Sequence, residues 1–266
     1  MAIKGAFYQW VSNSEDSSLV QFDYPKSDES IGEITAGGAQ GECTDATYGA
    51  GKTYFWVVES DVGSVDEYTY DGKGPVKTLN VTGGAGCAMD PKTGNLAVTI
   101  LGSGDVVIFA NAGGSGSEIR DGLLETYYDG YDDRGNLFAD GFNEADEPAL
   151  AELKNGSSAF TQLALSNSVG FPGGVQWDGK YITLDDQKTG EIYGYACHGY
   201  SCALEQTVVL SGSSDCTQTW IGYGNAFCPD AGAEDVEVYE YPAGGSPIAI
   251  LTGPADLPIG AVQVSR

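Results

Sequence analysis

A glycine-led β segment that returns six times is what most limits the folds open to this chain. Its copies are Gly5-Ala-Phe-Tyr-Gln-Trp10, Gly51-Lys-Thr-Tyr-Phe-Trp-Val-Val58, Gly94-Asn-Leu-Ala-Val-Thr-Ile100, Gly135-Asn-Leu-Phe-Ala-Asp140, Gly179-Lys-Tyr-Ile-Thr-Leu-Asp185 and Gly224-Asn-Ala-Phe-Cys228. The leading glycines are spaced by 46, 43, 41, 44 and 45 residues. A second run follows most copies, as in Val65-Asp-Glu-Tyr-Thr-Tyr70, Ile192-Tyr-Gly-Tyr195 and Val236-Glu-Val-Tyr-Glu-Tyr241. These short runs are rich in β-branched and aromatic residues and are separated by Gly, Asp and Asn turns, the signature of strands joined by hairpins. No segment sustains a helical period. The nearest, from Glu144 to Lys154, is broken by Pro148.

A period of this length carrying four strands per copy predicts an all-β fold, a six-bladed β-propeller with four antiparallel strands in each blade. The copies occupy all of residues 1–266, so a single domain is expected. The last segment, Pro258-Ile-Gly-Ala-Val-Gln-Val264, matches the innermost-strand pattern of Gly173-Gly-Val-Gln-Trp177. Pairing of this C-terminal strand with the N-terminal one inside one blade is predicted to close the ring and leave no free sheet edge.

Charge narrows the partners. With 38 acidic and 12 basic residues the formal charge is −26, which repels phosphate backbones and argues against nucleic acid and anionic membranes. No apolar run is long enough to span a bilayer. The six cysteines lack zinc-site spacing, and the single His cannot complete a Cys/His cluster. An even count without metal spacing favours disulfides and an oxidising compartment. Of the pairings open to them, Cys197–Cys202 would staple a tight loop, and Cys216–Cys228 would face each other across a hairpin turning at Gly222-Tyr223-Gly224. Cys43 and Cys87 hold equivalent inner-strand positions in neighbouring copies, and a bridge there needs Cα atoms within about 7 Å. The stretch Met1–Phe7 has no apolar signal core, which fits either a cytosolic protein or a mature chain with an added Met; the cysteines and scarce lysines favour the second, a secreted or periplasmic protein.

The repeat core Asp132-Asp-Arg-Gly-Asn-Leu-Phe-Ala-Asp140 resembles NHL-type six-bladed propellers. Phe171-Pro-Gly-Gly-Val-Gln-Trp-Asp-Gly-Lys-Tyr-Ile-Thr-Leu-Asp-Asp-Gln187 and Tyr241-Pro-Ala-Gly-Gly-Ser-Pro247 are similar to uncharacterised exported bacterial propeller proteins, a group that supplies no activity to carry over. The senescence marker protein/gluconolactonase family shares the architecture and implies a Glu/Asn/Asp metal site in the channel. This chain has Pro172-Gly173-Gly174 where such sequences tend to place the ligand Asn, which departs from lactonase chemistry.

In such a fold the loops after each second strand and those leading into each inner strand share one face. Sorted this way, that face collects Glu15, Asp16, Asp61, Glu144, Asp146, Glu147 and Glu234, with Lys188 the only base in the second-to-third-strand loops. The opposite turns hold Lys26, Lys52, Lys73, Lys92, Arg134, Lys154 and Lys180. An acidic funnel mouth is therefore predicted, able to concentrate cations. Its candidate ligand-binding residues are Glu42, Asp129, Tyr131, Phe171, Asp215 and Trp220, the aromatic ones as stacking platforms or as inter-blade packing. Glu59, Asp140, Asp185 and Asp230, near the ends of second strands, are candidates for a hard cation such as Ca2+; the competing reading makes each a loop cap or a bond to neighbouring backbone. The stretch Asp129–Asp140 lacks the Gly and one acid of a calcium-binding helix-loop-helix, and no nucleophile elbow or Ser-His-Asp set is present.

Three functions follow as expectations. The first is an extracellular binding or interaction module taking a small molecule, glycan or protein at the acidic face. The second is a Ca-type metal-dependent hydrolase or lactonase using channel carboxylates. The third is a self-associating structural extracellular protein.

Overall fold

The structure, a computed structural model, describes residues 7–44, 54–253 and 256–265. The turns expected at Gly5 and Gly51, and Lys52, lie outside the described residues. Within them the chain forms twenty-four strands, one turn of 3-10 helix at Ala110–Ala112 and no α-helix.

The strands fall into meanders of four. β1 (Phe7–Asn13), β2 (Ser18–Phe22) and β3 (Ser30–Thr35) are completed on their inner side by the last strand, β24 (Pro258–Ser265). Next come β4 (Ala39–Thr44), β5 (Tyr54–Glu59), β6 (Ser64–Thr69) and β7 (Lys77–Asn80), then β8 (Gly84–Met89), β9 (Leu96–Ile100), β10 (Asp105–Phe109) and β11 (Ser117–Arg120). The fourth meander is β12 (Glu125–Tyr131), β13 (Leu137–Phe142), β14 (Pro148–Leu153) and β15 (Thr161–Leu165). The fifth is β16 (Pro172–Trp177), β17 (Ile182–Asp186), β18 (Glu191–His198) and β19 (Ser201–Val209), and β20 (Trp220–Gly222) to β23 (Ala249–Leu251), through β21 (Asn225–Asp230) and β22 (Asp235–Glu240), form the last. The inner strands lie side by side from β4 through β8, β12, β16, β20 and β24 back to β4, a propeller-type arrangement.

Pairing is antiparallel within every meander, but not everywhere. The outer strands β15 and β19 pair in parallel, Ala164 with Ser201 and Leu165 with Cys202, and fuse two meanders into one eight-stranded sheet. The reason is local. The Cys197–Cys202 bridge joins directly opposed residues of the long β18–β19 hairpin, and this stapled tip covers the open edge of β15.

The glycine-led turns owe their form to an acid at their start. Asp132 accepts hydrogen bonds from the Arg134 and Asn136 N–H groups, both at 2.8 Å, and Gly135 adopts φ +83°. Asp178 does the same for Lys180 and Tyr181 at 2.7 and 2.6 Å, with Gly179 at φ +97°. These are side-chain-capped turns that need one residue in the left-handed region.

The core is a series of apolar layers between successive meanders. Trp10, Phe55 and Tyr68 fill one, Trp56, Leu96 and Phe109 the next, and Phe138, Leu150, Ile182 and Tyr195 another. Trp10 and Trp56 are thus buried in inter-sheet packing on second strands. Truncating such an aromatic to Ala costs about 3–5 kcal/mol.

Five of the inner strands carry a register shift against their second strand, at 259–260, 40–41, 85–86, 127–128 and 173–174. At these bulges the inner strands meet backbone to backbone. A Cβ on Gly41 would lie 2.6 Å from the Ala85 carbonyl oxygen, and one on Gly86 2.8 Å from Tyr128 Cα. Three disulfides join Cys43 to Cys87, Cys197 to Cys202 and Cys216 to Cys228, with Cα separations of 5.7, 4.0 and 5.2 Å. These are the expected pairings, and they fit an oxidising environment. Among the described residues no helix is long and apolar enough to cross a membrane.

Candidate functional site

The meander connectivity sends the loops after second strands and those leading into inner strands to one end of the sheets. Glu15, Asp16, Asp61, Glu144, Asp146, Glu147, Glu234 and Asp256 are exposed there, and Lys188 is exposed among them. Arg120, which pairs with Asp105 at 3.2 Å, ends an outer strand on the same side. Asp256 is held above its usual range by a hydrogen bond and charge from Asp16, with further repulsion from Glu15 and Glu234. The other end exposes Lys26, Lys73, Lys92, Arg134, Lys154 and Lys180; Lys26 and Lys73 pair with Asp23 and Asp71.

The four acids considered for a metal do not converge. Asp230 accepts five hydrogen bonds, from the N–H groups of Ser214, Asp215, Gly232 and Ala233 and from the Ser214 hydroxyl, at 2.6–3.1 Å. Glu59 accepts from the Gly37 N–H at 2.7 Å and from the Tyr68 hydroxyl. Asp186, one residue past Asp185, accepts from Gly170 and Phe171. Each of these side chains ends a second strand and ties down the loop leading into its own inner strand. Asn13 takes the same role through the Leu257 N–H at 3.0 Å.

Asp140 and Asp185 belong to a different position, the one opposite the bulge. Ser12 and Thr99 occupy it in other meanders; each accepts an inner-strand N–H and donates to a carbonyl of the next inner strand, Gln40 and Tyr127 respectively. Asp140 accepts from the Tyr128 N–H at 2.8 Å, and its second oxygen, Oδ2, has no partner among the described residues. Asp185 accepts from the Thr219 N–H at 2.8 Å. Burial drives Asp140 well above the usual carboxylate range, with Asp185 and Asp129 adding to the rise, and pushes Asp185 up to about 8. One triad of candidate metal ligands lies together among the described residues, Cys228, Asp230 and Glu237; Cys228 is in a disulfide and Asp230 is fully engaged.

Glu42 and Asp129 are not loop residues, as sequence reasoning placed them. Both lie inside inner strands, just past the bulge, and both are 1% exposed. With Tyr131, Trp220, Thr219 and Trp177 they line a cavity of about 60 Å³ between the inner strands. Met89, Pro91 and Asp132 also line it, so it opens toward the first-to-second-strand turns, away from the acidic loops. Asp215 and Phe171 stay in loops at the acidic end. The candidate ligand residues therefore divide between two places. The extra residue at each bulge is the cause, since it breaks the alternation by which position is read along a strand.

Phe171 belongs to a group that sequence reasoning missed. It packs edge-on with Tyr127 and Phe142, ring centroids 5.3–5.9 Å apart, and all three rings are half-buried at the acidic end. The Tyr127 hydroxyl donates to Glu125 at 3.2 Å, and burial, reinforced by Glu125, Asp140 and Asp146, pushes Tyr127 up to about 12.

No protein-family model matches the chain, and no curated protein matches it. Solved structures do. A chain in the crystal structure of a nidogen/laminin complex aligns with a TM-score of 0.76 at 14% identity, over 97% of this chain and 98% of its own length. A protein of unknown function from Bacteroides caccae gives 0.69 at 13%, over 98% of this chain and 100% of that one. A functionally unknown protein from Desulfotomaculum acetoxidans gives 0.61 at 12%, over 97% and 99%. At these identities the likeness is one of fold, and the class it defines is an all-β, propeller-type protein.

Proposed function

We propose that the chain is a six-bladed propeller of NHL-like repeat, secreted or periplasmic, that serves as an interaction module whose acidic end takes a basic protein partner. The blade number is supported by the four-strand meanders and by the sequence of inner-strand neighbours. The compartment is supported by the three disulfides.

The observation that carries the partner is the division of exposed charge. Acids dominate one end, while the opposite end carries most of the exposed bases. A face of one sign steers a partner of the other and speeds encounter. The half-buried rings of Tyr127, Phe142 and Phe171 offer that face an aromatic anchor beside Glu144, Asp146 and Glu147, the composition that receives lysine and arginine side chains. A basic protein fits this end better than an uncharged glycan, because steering by a face of one sign acts only on an oppositely charged partner. The hydrolase reading loses ground because Glu59 and Asp230 are occupied as loop clamps, and Asp140 and Asp185 as bulge-facing bonds.

The test is binding of immobilised polylysine and polyglutamate, measured by interferometry over a salt series. Salt-sensitive binding to polylysine is expected, weakened by E144Q/D146N/E147Q and unchanged by K92Q/K180Q on the opposite end. Equal response to both sets of substitutions would overturn the assignment of the face. Light scattering across concentration checks self-association in the same samples.

A further inference from the structure

Several of the polar groups lining the axial cavity are left without partners by the fold. Both carboxylate oxygens of Glu42, both of Asp129, and Trp220 Nε1 are buried and have no hydrogen-bond partner among the other described residues. Glu42 and Asp129 are 1% exposed and Trp220 9%. Buried polar groups in native proteins are almost always satisfied, so a set of them around one space marks something that belongs in it. Among the described residues no basic side chain lines the cavity.

We propose that the axial cavity binds one hydrated divalent cation, calcium by its donor chemistry, with Glu42 and Asp129 supplying carboxylate oxygens and water completing the shell. The acceptors are hard oxygens, the kind that calcium prefers, and two carboxylates match its charge. Waters of the shell satisfy what a bare ion could not, because the Trp220 indole N–H needs an acceptor. The volume agrees: a cavity of about 60 Å³ holds an ion with a few waters, each water needing at least about 10–15 Å³.

The walls are built to hold their shape. The Gln218 side chain fixes the backbone at Glu42, accepting from its N–H at 2.8 Å and donating to its carbonyl at 3.1 Å. The Cys43–Cys87 bridge lines the same cavity and ties β4 to β8. Burial holds both carboxyls well above their usual range, outweighing a backbone hydrogen bond at Asp129, and a cation beside them would reverse that. The site is separate from the exposed acids of the opposite end and does not depend on the partner proposed there.

Terbium supplies the test, since Trp177, Trp220 and Tyr131 stand around the cavity and can sensitise its emission. Titration of the intact chain should give a single saturable component that calcium displaces, and calcium should raise the melting temperature. E42Q and D129N should each weaken that component by about tenfold or more, a usual scale for losses at metal sites. The control D16N/D146N at the acidic end should leave it unchanged. Absence of a saturable component, or titrations of E42Q and D129N that match the parent, would overturn the site and leave water alone in the cavity. If either variant fails to fold, anomalous scattering from terbium-soaked crystals of the parent decides the matter: a peak between the inner strands supports the site, and peaks only on exposed acids refute it.

Discussion

Asp230 shows how much one side chain can hold. Its two oxygens accept from four backbone N–H groups and one hydroxyl, in a residue with no exposure to solvent. Replacing it with Asn turns one oxygen into a donor that faces other donors, so buried N–H groups lose an acceptor. D230N is expected to cost about 2–4 kcal/mol, read as a lower urea midpoint with an unchanged slope. A midpoint equal to the parent's would show that the clamp adds nothing. Legibility in the sequence was uneven at this scale. Asp140, Asp185 and Asp230 are nearly in step along the chain, yet Asp230 aligns with Asp186 and Glu59, one place later in the strand. A one-residue offset is invisible without the bulges, and it separates an acid that clamps a loop from one that faces a bulge.

At the scale of elements, the strands were readable because the glycine-led turns recur and because Pro258–Ser265 repeats the inner-strand pattern; in the structure it pairs with β1. The β15–β19 join was not readable, since parallel pairing between outer strands leaves no periodic mark. The cysteine pairs differ in what they constrain. Cys43 and Cys87 are 44 residues apart and link two meanders, whereas Cys197 and Cys202 are 5 apart within one hairpin. If bridges act by restricting the unfolded chain, the first contributes about 4 kcal/mol and the second about 2 kcal/mol. The double variant C43A/C87A should therefore lose more stability than C197A/C202A in parallel denaturation. The reverse order would mean that the hairpin tip, through its cover of the β15 edge, matters more than chain entropy.

For the whole molecule the question is how a chain of formal charge −26 stays folded, and pH separates two answers. Exposed acids repel one another, and salt screens that repulsion. Buried acids act differently. Asp140 and Asp185 are raised by burial, Asp185 to about 8, so in the folded state they keep protons that the unfolded chain gives up near pH 4. Between that unfolded value and the folded one, the native state binds more protons than the unfolded state, so stability falls as pH rises. It is fully retained below about pH 4 as far as these groups are concerned, and is progressively lost up to about pH 8. The melting temperature should thus be higher at pH 5 than at pH 8, and part of the difference should survive high salt. Asn can offer the same acceptor without ionising, so D140N and D185N, measured with chelator present, should reduce the salt-resistant part, the remainder belonging to Glu42 and Asp129, which burial raises in the same way. A pH dependence that high salt abolishes in the parent would assign the effect to the surface, and the two aspartates would then be ionised in the fold despite their burial.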